Sequence, residues 1–65
     1  MVLHIGDRVI YEDGGEPLTG EIVDIWKNNQ ERITGYLVIL DSGIYVQFLP
    51  DNLKWSKLEE PVLIA

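Results

Sequence analysis

Residues 44–50 read I-Y-V-Q-F-L-P, an almost unbroken apolar run with one amide side chain, Gln47, in its middle. We read it as a central strand. Side chains alternate across a strand, so Tyr45, Gln47 and Leu49 point one way while Ile44, Val46 and Phe48 point the other. Both faces are mostly apolar. A chain of 65 residues fills one small core with one of these faces. The second face then needs water, a ligand or another chain to cover it.

On the N-terminal side, Asp41-Ser42-Gly43 is too short for anything but a tight connection, so the preceding run from Ile33 to Leu40 pairs with it as an antiparallel hairpin. Gly43 is expected at positive φ. Asn28 to Arg32 is a polar surface loop, and before it the run from Thr19 to Lys27, T-G-E-I-V-D-I-W-K, is a second strand in which Gly20 marks a bulge or a close backbone approach. Its alternation falters at Val23 and Asp24, which predicts a sharp bend. Paired glycines and a proline in residues 12–17 make a loop, and a first strand runs from Gly6 to Tyr11. On the C-terminal side, residues 50–53 suit a single 3₁₀ turn capped by Asp51 or Asn52, and a short last strand from Lys54 to Leu58 closes the sheet. Residues 61–65 form an apolar tail.

Five short strands with one 3₁₀ turn before the last describe an all-β, small SH3-like barrel, a single domain over residues 1–65. Its expected core is Val9, Ile22, Ile25, Tyr36, Val38, Val46, Phe48 and Leu53. The outward set holds Ile10, Leu37, Ile39, Tyr45, Gln47 and Leu49. Hairpin pairing makes Leu37, Ile39, Tyr45, Gln47 and Leu49 one contiguous patch, the candidate binding or interface site.

Composition narrows the function. A domain this small buries only about 60% of its unfolded surface and is marginal alone. With no cysteine and one histidine, His4, disulfides and ordinary zinc ligation are excluded, which leaves oligomerisation as the remaining aid. Eleven acidic residues against five basic ones give a net charge of −6, which disfavours nucleic acid as a partner. The carboxylates are scattered, as in an ordinary solvated surface. The N-terminal sequence M-V-L-H-I-G is no export leader, and no run has membrane-spanning length, so a cytoplasmic location is expected.

The series G-D-R-V at 6–9, G-E-I-V-x-x-W at 20–26, G-Y-L-V at 35–38 and G-x-x-V-Q-F-x-P at 43–50, followed by Leu53, resembles the plasmid-borne type II dihydrofolate reductases. That resemblance covers about three quarters of the chain. It implies an SH3-like barrel that forms a homotetramer around a pore where NADPH and dihydrofolate bind, lined by a V-Q-I-Y-P strand. Val46, Gln47 and Pro50 match that strand, Phe48 replaces isoleucine, and Leu49 stands where the family has its pore tyrosine. Tyr11 stands where the family has a lysine that attracts the anionic ligands. The resemblance therefore speaks for fold and for assembly through the fourth strand more than for catalysis.

Few residues carry chemistry of their own. Asp7 and Arg8 read as a surface ion pair or a turn bond, with no nucleophile–base partner, and His4 as an ordinary surface residue. Gln47 can hydrogen-bond a ligand, a symmetry mate or water. Tyr11, Trp26, Tyr36, Tyr45, Phe48 and Trp55 supply either core packing or a Tudor-type cage for a methylated cation. The favoured reading is a small non-enzymatic interaction module that self-associates or binds a protein partner through the outward face of its third and fourth strands, with no cofactor. The alternatives are a reductase using NADPH in an oligomeric pore and a methyl-cation reader.

Overall fold

The hairpin at the centre of the sequence is built as expected. In the computed structural model, which describes residues 2–59, its strands pair in one unbroken register, from Tyr36 opposite Phe48 to Ile39 opposite Tyr45. Gly43 sits at φ 91° and donates its N–H to the Leu40 carbonyl at 2.8 Å, while the Leu40 N–H reaches the Ile44 carbonyl at 2.8 Å. That is a three-residue loop whose last position needs a left-handed conformation, which glycine adopts without steric cost.

Five strands form one antiparallel sheet: β1 (Arg8–Tyr11), β2 (Leu18–Lys27), β3 (Ile33–Leu40), β4 (Tyr45–Phe48) and β5 (Trp55–Lys57). Their order across it is β4-β3-β2-β1-β5. The meander from β1 to β4 is extended by the last strand, which returns beside the first. β4 and β5 are the two edges and do not pair with each other, so the sheet is not closed by hydrogen bonds. The stretch read from sequence as a central strand is therefore an edge. Its apolar character comes from the core on one side and the outward patch on the other.

β2 and β3 show why the sequence bends where its alternation falters. The register shifts between Ile22 and Asp24, leaving Val23 as the extra residue of a bulge. Opposite Leu40, Gly20 lets β2 approach closely: a Cβ there would lie 2.5 Å from the Ile39 carbonyl oxygen and 2.7 Å from Cγ1 of the fully buried Val38.

The core holds Leu3, Val9, Ile22, Tyr36, Val38, Leu40, Phe48 and Trp55, with Ile25 and Val46 packed partly buried against it. Three expected members behave as read only in part or not at all, and the clearest departure is Leu53. It is 94% exposed, and Trp55 takes the core place instead. The cause lies in the backbone before β5. Where one 3₁₀ turn was expected, no helix forms among the described residues; two single turns follow each other, Asn52 N–H to the Leu49 carbonyl at 3.0 Å and Trp55 N–H to the Asn52 carbonyl at 3.3 Å. The Asn52 side chain accepts the Lys54 N–H at 3.1 Å, an Asx turn that throws Leu53 onto the corner. Trp55 then stacks on Phe48, ring centroids 4.6 Å apart, and packs on Tyr11 at 5.1 Å. This stack brings side chains of the two sheet edges together. The apolar tail at 61–65 lies outside the described residues.

Candidate interaction surface

Strand alternation and register decide what the outer face presents. Ile39 stands between Glu21 and Tyr45, and Leu37 stands between Asp24 and Gln47. Those four residues of β3 and β4 thus share one face, as expected, and Leu49 follows directly after β4. Leu37 and Ile39 are half-buried by their neighbours, whereas Gln47 is exposed and Tyr45 and Leu49 are 62% and 61% exposed. Half of this apolar segment is thus left on an exposed surface.

Trp26 joins this face, which sequence reading did not foresee. Past the bulge the alternation resumes with Ile25 toward the core, so Trp26 turns outward, opposite Gly35. The pairing of a large aromatic ring with a glycine was the available signal. A Cβ on Gly35 would meet Trp26 Cε3 at 3.1 Å, so the indole lies over the glycine and covers it. Its Nε1–H donates to Asp24 Oδ2 at 3.1 Å, fixing the ring at the border of the patch.

Charge rims the apolar strip. Glu21 and Asp24 flank it along β2, and beyond them Arg8 meets Asp41 through two parallel hydrogen bonds of 2.8 Å each. The Thr19 hydroxyl donates to the same carboxylate. The Arg8 guanidinium first, and the Thr19 hydroxyl second, hold the Asp41 carboxyl down at about 2. Arg8 therefore bonds Asp41 rather than the adjacent Asp7. Asp7 instead accepts the His4 backbone N–H at 2.8 Å and lies 3.6 Å from His4 Nδ1 and 3.8 Å from Lys57 Nζ.

The other candidate residues fall elsewhere. Tyr11 is half-buried on the inner face, its ring against Trp55 and its hydroxyl donating to Asp13 at 3.2 Å. Gln47 is on the outer face, so these two positions of the family resemblance do not meet within one chain. Tyr36, Phe48 and Trp55 stack successively in the core, Tyr36 on Phe48 at 4.9 Å, and offer no open ring faces to a cation. An open groove of about 470 Å³ lies between Val2, Leu3, His4 and Ile5 and the side chains of Ile25, Lys27 and Ile33, with no aromatic in its lining. Among the described residues no three His, Cys, Asp or Glu side chains gather as metal ligands, and no helix is long and apolar enough to cross a membrane.

The chain matches no protein-family model, no curated protein and no solved structure. The reading of function therefore rests on the residues themselves.

Proposed function

We propose that the chain is an SH3-like barrel and works as a non-enzymatic interaction module, self-associating through the outward face of β3 and β4. The strand order, a four-stranded meander followed by a fifth strand that returns beside the first, supports the barrel, as does the Phe48–Trp55 stack that draws the two edges together. The observation that carries the function is the patch of Leu37, Ile39, Tyr45 and Leu49, extended by Trp26 and rimmed by the carboxylates of β2. An apolar surface bordered by polar groups is the anatomy of an association site. A second copy of a chain this small is the simplest cover.

Sedimentation at micromolar concentration tests it. The native chain is expected to run larger than a monomer, and Leu37→Asp or Tyr45→Asp to run as a folded monomer, because an unpaired charge buried in an interface costs several kcal/mol. A native monomer across that range removes self-association and assigns the patch to a separate protein.

A further inference from the structure

We propose that two copies of this chain join edge to edge through β4, antiparallel, about a two-fold axis at Val46. This rests on self-association through the β3–β4 surface and specifies how it occurs.

The direction of each backbone group follows from the hairpin. Leu40 and Ile44 form a hydrogen-bonded pair, the Leu40 N–H meeting the Ile44 carbonyl. Pairs alternate along an antiparallel ladder, so Val38 with Val46 and Tyr36 with Phe48 are hydrogen-bonded as well. Val46 and Phe48 therefore give their N–H and C=O groups to β3. Tyr45 and Gln47 aim theirs the other way, off the edge of the sheet, where no described strand or loop backbone receives them.

Those open groups lie symmetrically about Val46. A second β4 laid antiparallel with Val46 facing Val46 puts Tyr45 opposite Gln47 of the second copy and Gln47 opposite its Tyr45. Each such pair exchanges two N–H···O=C bonds, four in all, with no shift of register. The strand is its own complement.

Charge selects the same place. Each copy carries −6, so like-charged chains meet at least cost where neither bears a charge. Residues 42–50 are the longest stretch of the sequence without Asp, Glu, Lys or Arg. Of the nearest carboxylates, Asp41 is already matched by Arg8. The opposite edge is guarded in the usual way: β5 is three residues long, and Lys54 and Lys57 stand at its ends. β4 has no such guard. Tyr45 and Gln47 also carry their side chains on the outward face, so edge pairing would fuse the two apolar patches into one.

Proline separates this arrangement from packing of faces alone. Gln47→Pro removes an N–H that β3 does not use, and an edge strand tolerates the ring. It deletes two of the four bonds and crowds the edge, so the dimer should weaken by roughly 100-fold, with the circular dichroism spectrum of the monomer retained. Gln47→Ala, which keeps the N–H, should still dimerise. In the native protein, amide exchange at Tyr45 and Gln47 should be slow in concentrated solution and fast on dilution. If the native chain associates and Gln47→Pro associates equally well, edge pairing is wrong while self-association stands. Should Gln47→Pro fail to fold, fast exchange at both amides in the associated native protein overturns the proposal in the same way. A native monomer removes both.

Discussion

Gly20→Ala tests the physical reason for the tight β2–β3 approach. Gly20 stands between Val9 and Leu40 in the middle of the sheet, and an added Cβ would lie 2.5 Å from the Ile39 carbonyl oxygen, 2.7 Å from Val38 Cγ1 and 3.0 Å from Leu40 Cα. An ordinary carbon–oxygen contact is about 3.3 Å or more, so relief requires a backbone displacement of nearly an ångström. Val38 is fully buried, so its side chain cannot swing out into solvent. Overpacking of a filled core costs about 1–3 kcal/mol, and a clash with two backbone atoms belongs at the upper end. Alanine returns about 0.4–1 kcal/mol by restricting the unfolded chain. The net loss is then about 2–3 kcal/mol, against a total of roughly 3–10 kcal/mol for a domain of this length. Thermal unfolding followed by circular dichroism at one fixed protein concentration should show a Tm lower by roughly 10–20 °C. Gly15→Ala is the control: its Cβ meets only the flexible Asp13 carboxylate, and it should stay within about 0.5 kcal/mol of the native chain. A Gly20→Ala protein as stable as that control would refute the close approach.

Asp41 supplies a pH dependence. Its folded pKa of about 2 lies below the ordinary 3.8, so the stability it contributes is complete above that ordinary value and is lost as pH falls through the folded one. Asp13, lowered by the Gly15 N–H and the Tyr11 hydroxyl, acts in the same direction. Denaturation midpoints should therefore fall less steeply between pH 4 and pH 2 in Asp41→Asn than in the native protein; equal slopes would show that the Arg8 pairing contributes nothing. Reductase chemistry is expected to be absent, because Tyr11 supplies no cation and lies on the face away from Gln47. NADPH oxidation with dihydrofolate at low salt, where attraction is least screened, checks this, and turnover that disappears in Gln47→Ala would reverse the reading.

Where local chemistry determines geometry, the residues announced the structure. β3 has the bounds its apolar run implied, Gly43 its positive φ and Gly20 its close approach, while the faltering alternation at Val23 and Asp24, read as a sharp bend, marks a bulge. The outward set of Leu37, Ile39, Tyr45 and Gln47 followed from the same alternation. What escaped reading depends on contacts distant in sequence. Trp55 enters the core in place of Leu53 because one Asx turn rotates the chain just before β5, a choice between two apolar residues that hydropathy does not make. Leu3 is buried although no strand contains it. Trp26 reaches the outer face only because the bulge has shifted the phase of every later residue in β2. An edge position for β4 was equally hidden, since its apolar run reads the same whether a neighbouring strand or an exposed patch accounts for it.

The pairing of the first strand with the last affects how the molecule can be made. β1 to β4 assemble by neighbouring turns, but Val9, Tyr11 and Phe48 keep an uncovered flank until Trp55 arrives and β5 docks on β1. During that interval the folding chain exposes the inner aromatic surface and the charge-free β4 edge together. Docking of residues 49–57 thus sets how long neighbouring chains can join in the wrong order.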